Sequence, residues 1–160
     1  MDLNGLPQTV QNFINDTIQY RETGSCLDYD TCQKILEYAA DTGSQKLTGI
    51  GLYYLAECYW QKGEYENTMQ CLTESVGCLE NARMYELLAQ AHNMMGAVSD
   101  RKNNRMLALS SYYNSLKYAE KYHYYYVQGM AESNIAYTLV RMRLRQEAIQ
   151  HYRIAIACYD

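Results

Sequence analysis

Proline occurs once and glycine nine times in these 160 residues, too seldom for a linker-rich or disordered chain. Basic residues are outnumbered, 14 Lys and Arg against 18 Asp and Glu, and a formal net charge of −4 argues against a nucleic-acid binder, which carries a basic face. No apolar run approaches the roughly 18 residues that a membrane span needs. The opening MDLNGLPQTV has neither a basic nor an apolar signal region, so no export signal is expected. Without one, the six cysteines (Cys26, Cys32, Cys58, Cys71, Cys78, Cys158) read as free thiols of a reducing cytoplasm, used as small buried hydrophobes.

Catalytic signatures are missing too. There is no C-x-x-C, no H-E-x-x-H and no P-loop. TGIGLYY (48–54) has two glycines one apart but no third and no preceding strand, so it is no dinucleotide fingerprint. Cys71 and Cys78 share a helical face without a zinc spacing. His92, His123 and His151 are far apart, and the carboxylates Glu57, Glu86 and Glu132 stand singly, with no orienting partner in view. The expectation is a chain that is not an enzyme, with no metal and no cofactor.

What the chain does have is tyrosine, 18 of them against one Phe and one Trp, a side chain suited to half-buried surfaces and grooves. It also has a repeat. At an offset of 40 residues Leu55, Met95 and Ile135 align, followed by Ala56, Gly96 and Ala136, then Tyr59, Ser99 and Leu139. In the second half of the unit Thr68, Ala108 and Ala148 align, then Leu72, Tyr112 and Tyr152, then Ser75, Ser115 and Ala155. Small residues recur where helices must approach, and large apolar ones where a gap needs filling. Apolar spacing of three and four predicts helices near 45–61, 64–77, 82–101, 104–121, 123–142 and 145–159. Upstream, Val10, Phe13, Ile14, Thr17 and Ile18 mark a helix ending near Gly24, and Cys32, Leu36 and Ala39 its partner ending near Gly43. The predicted fold is one all-α domain over 1–160, eight helices in four hairpins, with a degenerate unit at 9–48 and further units at 49–88, 89–128 and 129–160.

LYYLAECYWQKGEYENTMQCLTESV (52–76) resembles a tetratricopeptide repeat through Leu55-Ala56, Tyr59, the turn at Gly63, Leu72 and Ser75. NIAYTLVRMRLRQEAIQHYRIAIA (134–157) is similar, and the middle unit matches through Met95-Gly96, Ala108, Tyr112 and Ser115. The pattern departs at Thr68, where alanine is usual, and no proline closes any unit. The resemblance implies a right-handed solenoid of helix pairs. Its 40-residue unit is similar to repeats of bacterial signalling proteins, including regions preceding diguanylate cyclase domains and peptide-sensing regulators, and so implies a binding or sensing module. The family's groove-facing places fall on Tyr53, Glu57 and Trp60, on Asn93, Ala97, Asp100 and Arg101, and on Ser133, Asn134, Tyr137 and Arg141. Aromatic surface with amides suits a peptide or protein partner, not nucleic acid or a membrane interior. An Asn at such a place also suits a bridge between neighbouring repeats, and that alternative stays open for Asn134. The lysines of the chaperone-tail carboxylate clamp are absent.

Three further features carry expectations. In KYHYYYVQGM (121–130), Tyr124 and Tyr125 fall on packing positions and Tyr122 and Tyr126 on a rim. Arg101, Lys102 and Arg105 recur as Arg141, Arg143 and Arg145 around the turn within a unit, where they complement a helix C-terminus or form a stripe for an acidic partner. Ala148, Ile149, Tyr152, Ala155, Ile156 and Tyr159 give the last helix apolar surface facing both inward and onward. Either a continuation of the chain covers that surface, or two copies form a homodimer through the C-terminal helix.

Overall fold

The structure is a computed structural model that describes Gln8 and residues 28–160; the predicted helix over Val10 to Ile18 lies outside the described residues. Residues 28–160 form seven α-helices and no strand: α1 (Tyr29–Thr42), α2 (Gln45–Gln61), α3 (Tyr65–Asn81), α4 (Tyr85–Arg101), α5 (Arg105–Lys121), α6 (Tyr125–Arg141) and α7 (Arg145–Tyr159). α2 pairs with α3, α4 with α5 and α6 with α7, and successive hairpins stack through α3 on α4 and α5 on α6. This is the all-α repeat solenoid that the forty-residue register predicts.

The helices stop at a regular beat. Gly43, Gly63, Arg83, Asn103, His123 and Arg143 all have positive φ, and they stand twenty residues apart. At each, the next residue's N–H bonds back five places and its own bonds back three, as in Glu64 N to Tyr59 O at 2.9 Å and Gly63 N to Trp60 O at 3.0 Å. That is the Schellman arrangement, which satisfies the last carbonyls of a helix and reverses the chain in three residues. Four of the six positions are not glycine, so the backbone accepts a left-handed conformation that an L side chain disfavours. The expected end of α3 at residue 77 is overrun for the same reason. A Cβ at Gly77 would meet nothing within 4 Å, so no contact requires a break there, and Leu79 (0% exposed) still packs inward. The stop belongs to Arg83, and α4 begins at Tyr85 rather than 82.

N-terminal caps are added where the sequence offers an acceptor. Asp28 accepts from Thr31 N at 2.7 Å, Ser44 from Leu47 N at 3.3 Å and Asn104 from Leu107 N at 3.2 Å. Hydrogen bonding to Thr31 holds the Asp28 carboxyl below its usual value.

Within the middle hairpin the helices meet over Gly96, where an added Cβ would sit 2.4 Å from the Tyr112 ring. Tyr112 and Ala136 are buried, as the alignment requires. Thr68, the departure from the family's alanine, is buried with its hydroxyl donated to Glu64 O at 2.9 Å, so the extra polar atom is satisfied inside its own helix.

Candidate functional site

The first helix of each hairpin contributes to one concave face. Trp60 from α2, Ala97, Asp100 and Arg101 from α4, Tyr112 from α5, and Asn134, Tyr137 and Arg141 from α6 line a groove of about 530 Å³. Seven of the eleven predicted places, Trp60, Ala97, Asp100, Arg101, Asn134, Tyr137 and Arg141, are thus brought together from three hairpins.

Of the other four, Ser133 hydrogen-bonds to Tyr159 of α7, and Tyr53, Glu57 and Asn93 lie beside or beneath the groove. Tyr53 is 2% exposed, edge-on to Tyr54 at 5.2 Å, with its hydroxyl 3.1 Å from Glu57 Oε1 and 3.3 Å from Gln90 Oε1. It is a core residue, and Glu57 is its half-buried acceptor. Asn93 accepts from Asn134 Nδ2 at 3.1 Å, tying α6 to α4. Asn134 therefore does both things left open above: it bridges neighbouring hairpins and it faces the groove.

The groove floor is a charged network. Asp100, only 6% exposed, receives Arg141 Nη1 at 3.1 Å on one oxygen and the Thr138 hydroxyl at 3.1 Å on the other. Arg141 Nη2 donates to Asn103 Oδ1 at 3.1 Å, and the guanidinium lies 5.7 Å from the Tyr137 ring centre. With two of its donors fixed, Arg141 is held in one orientation at little further entropic cost. Arg101 lies 5.8 Å above the Trp60 ring, itself 5.4 Å from Tyr65, and makes no ion pair among the described residues. Aromatic faces and oriented donors suit an extended polypeptide, whose backbone offers acceptors and whose side chains offer apolar surface. The basic residues at the turns are also partly engaged: Lys102 Nζ reaches Glu66 Oε1 at 2.7 Å, tying the middle hairpin to the one before.

Two expectations need correction. Glu132 is not alone. It is 3% exposed on α6 and meets His151 Nδ1 of α7 at 2.5 Å, while His151 Nε2 stands 3.5 Å from the Tyr113 hydroxyl of α5. The signal is in the hairpin geometry, since the two stand eleven residues before and eight after Arg143, the centre of the turn. In the tyrosine cluster, Tyr125 is 59% exposed, and its ring meets His123 of the turn rather than a second helix. Its place is taken by Tyr122, half-buried and stacked on Tyr85 with ring centres 4.4 Å apart. One unit earlier Tyr85 also follows a left-handed turn, at Arg83, and it packs because Tyr118 and Tyr122 stand at the end of α5; at the end of α7 the place of Tyr118 is held by Cys158. Burial holds the His92 imidazole below its usual value as it stacks on Tyr118 at 6.0 Å.

Stacked antiparallel hairpins with a concave inner face define a tetratricopeptide-like repeat protein, and the comparisons agree on that fold. No family profile matches the chain, and no curated protein is similar to it in sequence. Among solved structures it is similar to a crystal structure of MamA, at 18% identity over 98% of this chain and 82% of that one, with a TM-score of 0.65. A second MamA crystal structure superimposes at TM-score 0.63 with 17% identity, over 93% of this chain and 72% of that one. At such identity the likeness extends to the fold. Among the described residues no helix is long and apolar enough to cross a membrane, and no three His, Cys, Asp or Glu side chains are grouped for a metal ion.

Proposed function

We propose that the chain is a protein- or peptide-binding module whose ligand lies in the groove between Trp60 and Arg141. The observation that carries this is the convergence of Trp60, Arg101, Asn134, Tyr137 and Arg141 from three hairpins on one cavity above a buried Asp100. Its function is recognition rather than catalysis. A ligand spanning three hairpins favours whichever curvature of the solenoid brings them to it, and so biases anything attached. The finer setting, the sensory region of a bacterial signalling protein such as one preceding a diguanylate cyclase domain, is supported by the resemblance of 52–76 and 134–157 alone. A cytoplasmic location belongs to the same proposal and rests on the free thiols among the described residues.

Trp60 is the chain's single tryptophan and therefore a built-in reporter. Peptides selected from a random display library on the purified chain are expected to change its fluorescence. Arg141→Ala should weaken their binding by about 1.5–3 kcal/mol, as for a hydrogen bond to a charged group, and Arg153→Ala on α7 should leave it unchanged. Peptides that bind equally well to Arg141→Ala and Asn134→Ala would remove the groove from the proposal.

A second reading, a scaffold that dimerises through α7, is favoured by a different observation. Ile149, Tyr152, Ile156 and Tyr159 expose 39–62% of their surface along that helix.

A further inference from the structure

The cysteines are not equivalent. Cys71 is buried, as expected of a small apolar residue, and burial raises its thiol to about 11; Cys78 and Cys158 are only half-buried, with their thiols pushed up in the same direction. Cys32 on α1 and Cys58 on α2 differ in geometry. They stand 26 residues apart on adjacent helices, are 0% and 7% exposed, and face each other with their sulfurs 3.9 Å apart. A disulfide needs about 2.05 Å between sulfurs, so the gap to be closed is within reach of a side-chain rotation and a small slide of α1 on α2.

We propose that Cys32 and Cys58 form a dithiol site that a small-molecule disulfide oxidises, joining α1 covalently to α2. Either thiol can donate the hydrogen bond between them, so the roles follow from access and charge instead. Cys58 is the more accessible, 7% against 0% exposed, and the Lys62 ammonium favours its thiolate. Cys58 is the attacking sulfur. Its thiolate bonds to one sulfur of the reagent R–S–S–R, the reagent's own S–S bond breaks, and R–S⁻ leaves and takes a proton from solvent. Cys32 then gives up its proton and attacks the Cys58 sulfur, and the second R–S⁻ departs. Two protein thiols are oxidised and one small disulfide is reduced to two thiols, so the step balances. Entry to the buried pair requires α1 to lift locally from α2, a smaller opening than global unfolding. Closing the bond fixes the entry helix on α2, the helix that also carries Trp60 of the groove.

The test uses the chain with Cys26→Ser, equilibrated with reduced and oxidised glutathione over a series of ratios, quenched in acid, denatured, alkylated and mapped by mass spectrometry. The expected product is a cross-linked peptide pair containing Cys32 and Cys58, lighter by about two hydrogens than the dithiol. Cys71, Cys78 and Cys158 should be alkylated, and the unfolding midpoint of the oxidised form should be higher. Cys32→Ser should halt the reaction at a glutathione mixed disulfide on Cys58; Cys32→Ala repeats that arm should serine be too polar for the site. Full alkylation of Cys32 and Cys58 at the most oxidising ratio would overturn the proposal. So would a cross-link from either of them to any other cysteine.

Discussion

α5 and α7 hold the same place in successive hairpins, forty residues apart, and meet opposite fates. Tyr112 is 2% exposed and its counterpart Tyr152 39%; Leu116 is 6% exposed and Ile156 62%; Ala119 is 0% exposed and Tyr159 51%. Both helices carry the apolar pattern of an inner element. α5 has α4 on one side and α6 on the other, whereas among the described residues α7 has only its partner α6 at comparable extent. The periodic pattern therefore states which face of a helix is meant for packing, and the stack decides whether that face is covered. Apolar area removed from water is the stabilising quantity, so equivalent residues contribute unequally.

The largest expected effect follows from that inequality. Tyr112→Ala removes a ring seated against Gly96 and leaves a cavity in the middle hairpin, with an expected loss of about 3–5 kcal/mol. Tyr152→Ala is expected to cost about 0.5 kcal/mol, as for a surface substitution. Urea midpoints at constant m-value read both. Equal losses would break the comparison and show that α7 is covered in solution.

α7 is nonetheless held from within by the Glu132–His151 contact. His151→Ala strands a buried carboxylate, at an expected cost of about 1–3 kcal/mol. Replacing both partners with leucine should cost less than that single change, because no buried charge is then left without a partner. A double variant worse than His151→Ala would mean that the polar pair itself, and not the stranding of one member, is what docks α7. One hairpin earlier the register position of Glu132 is filled by His92, whose burial lowers its pKa. A group depressed in the folded state binds fewer protons there than when unfolded, so stability is retained above the ordinary value of 6.5 and lost as pH falls below it. His92→Gln is expected to remove that part of the slope in melts followed from pH 7.5 to 5.

Much of this was legible in the sequence because it depends on spacing. The offset of forty marks Gly96 as a small residue at a helix contact and Tyr112 as a large one that fills a gap, and the family's inner face marks Trp60, Arg101, Asn134, Tyr137 and Arg141 as neighbours. What escaped depends on three-dimensional facing within a hairpin. Glu132 and His151 belong to different helices and meet only once the turn centre is known, and that centre is fixed by positive-φ residues that look unremarkable as Arg83, His123 and Arg143. Tyr53 falls on a groove-facing place of the family pattern, yet its ring points to Tyr54 and its hydroxyl to Glu57 and Gln90. Tyr125 does not repeat the packing of its counterpart Tyr85, because that stack is built by Tyr118 and Tyr122, and the place of Tyr118 falls on Cys158 in α7.

The turns offer a sharper and smaller test. Arg143 precedes α7 and Asn103 precedes α5, both at positive φ. Arg143→Gly relieves the left-handed strain of a long side chain against the entropy that glycine adds to the unfolded chain, a net gain of about 0.5–1 kcal/mol. Asn103→Gly should gain less, since Asn tolerates this conformation and Asn103 also accepts from Arg141. Denaturation midpoints in the order Arg143→Gly, Asn103→Gly, parent would agree with strain at the turns. The reverse order would mean that Arg143 gains from contacts at its turn more than it loses in backbone conformation.

The smallest effect on stability carries the most information about α7. Ile156 is 62% exposed and corresponds to buried Leu116 one hairpin earlier, so its apolar side chain fits a stacking surface but contributes almost nothing inside a single copy. Ile156→Glu is therefore expected to shift the unfolding free energy by no more than about 0.5 kcal/mol. Its effect on association is a separate quantity. If two copies cover each other's α7, the twofold contact places each new carboxylate in a desolvated interface, and the burden falls on both copies at once. Light scattering over a dilution series should then show the parent chain passing from dimer to monomer as it is diluted, with Ile156→Glu monomeric throughout and its melt unchanged. A parent chain that is monomeric at every concentration would remove the scaffold reading. The groove proposal would stand untouched, because Trp60, Asn134 and Arg141 line the concave face and not the outer face of α7.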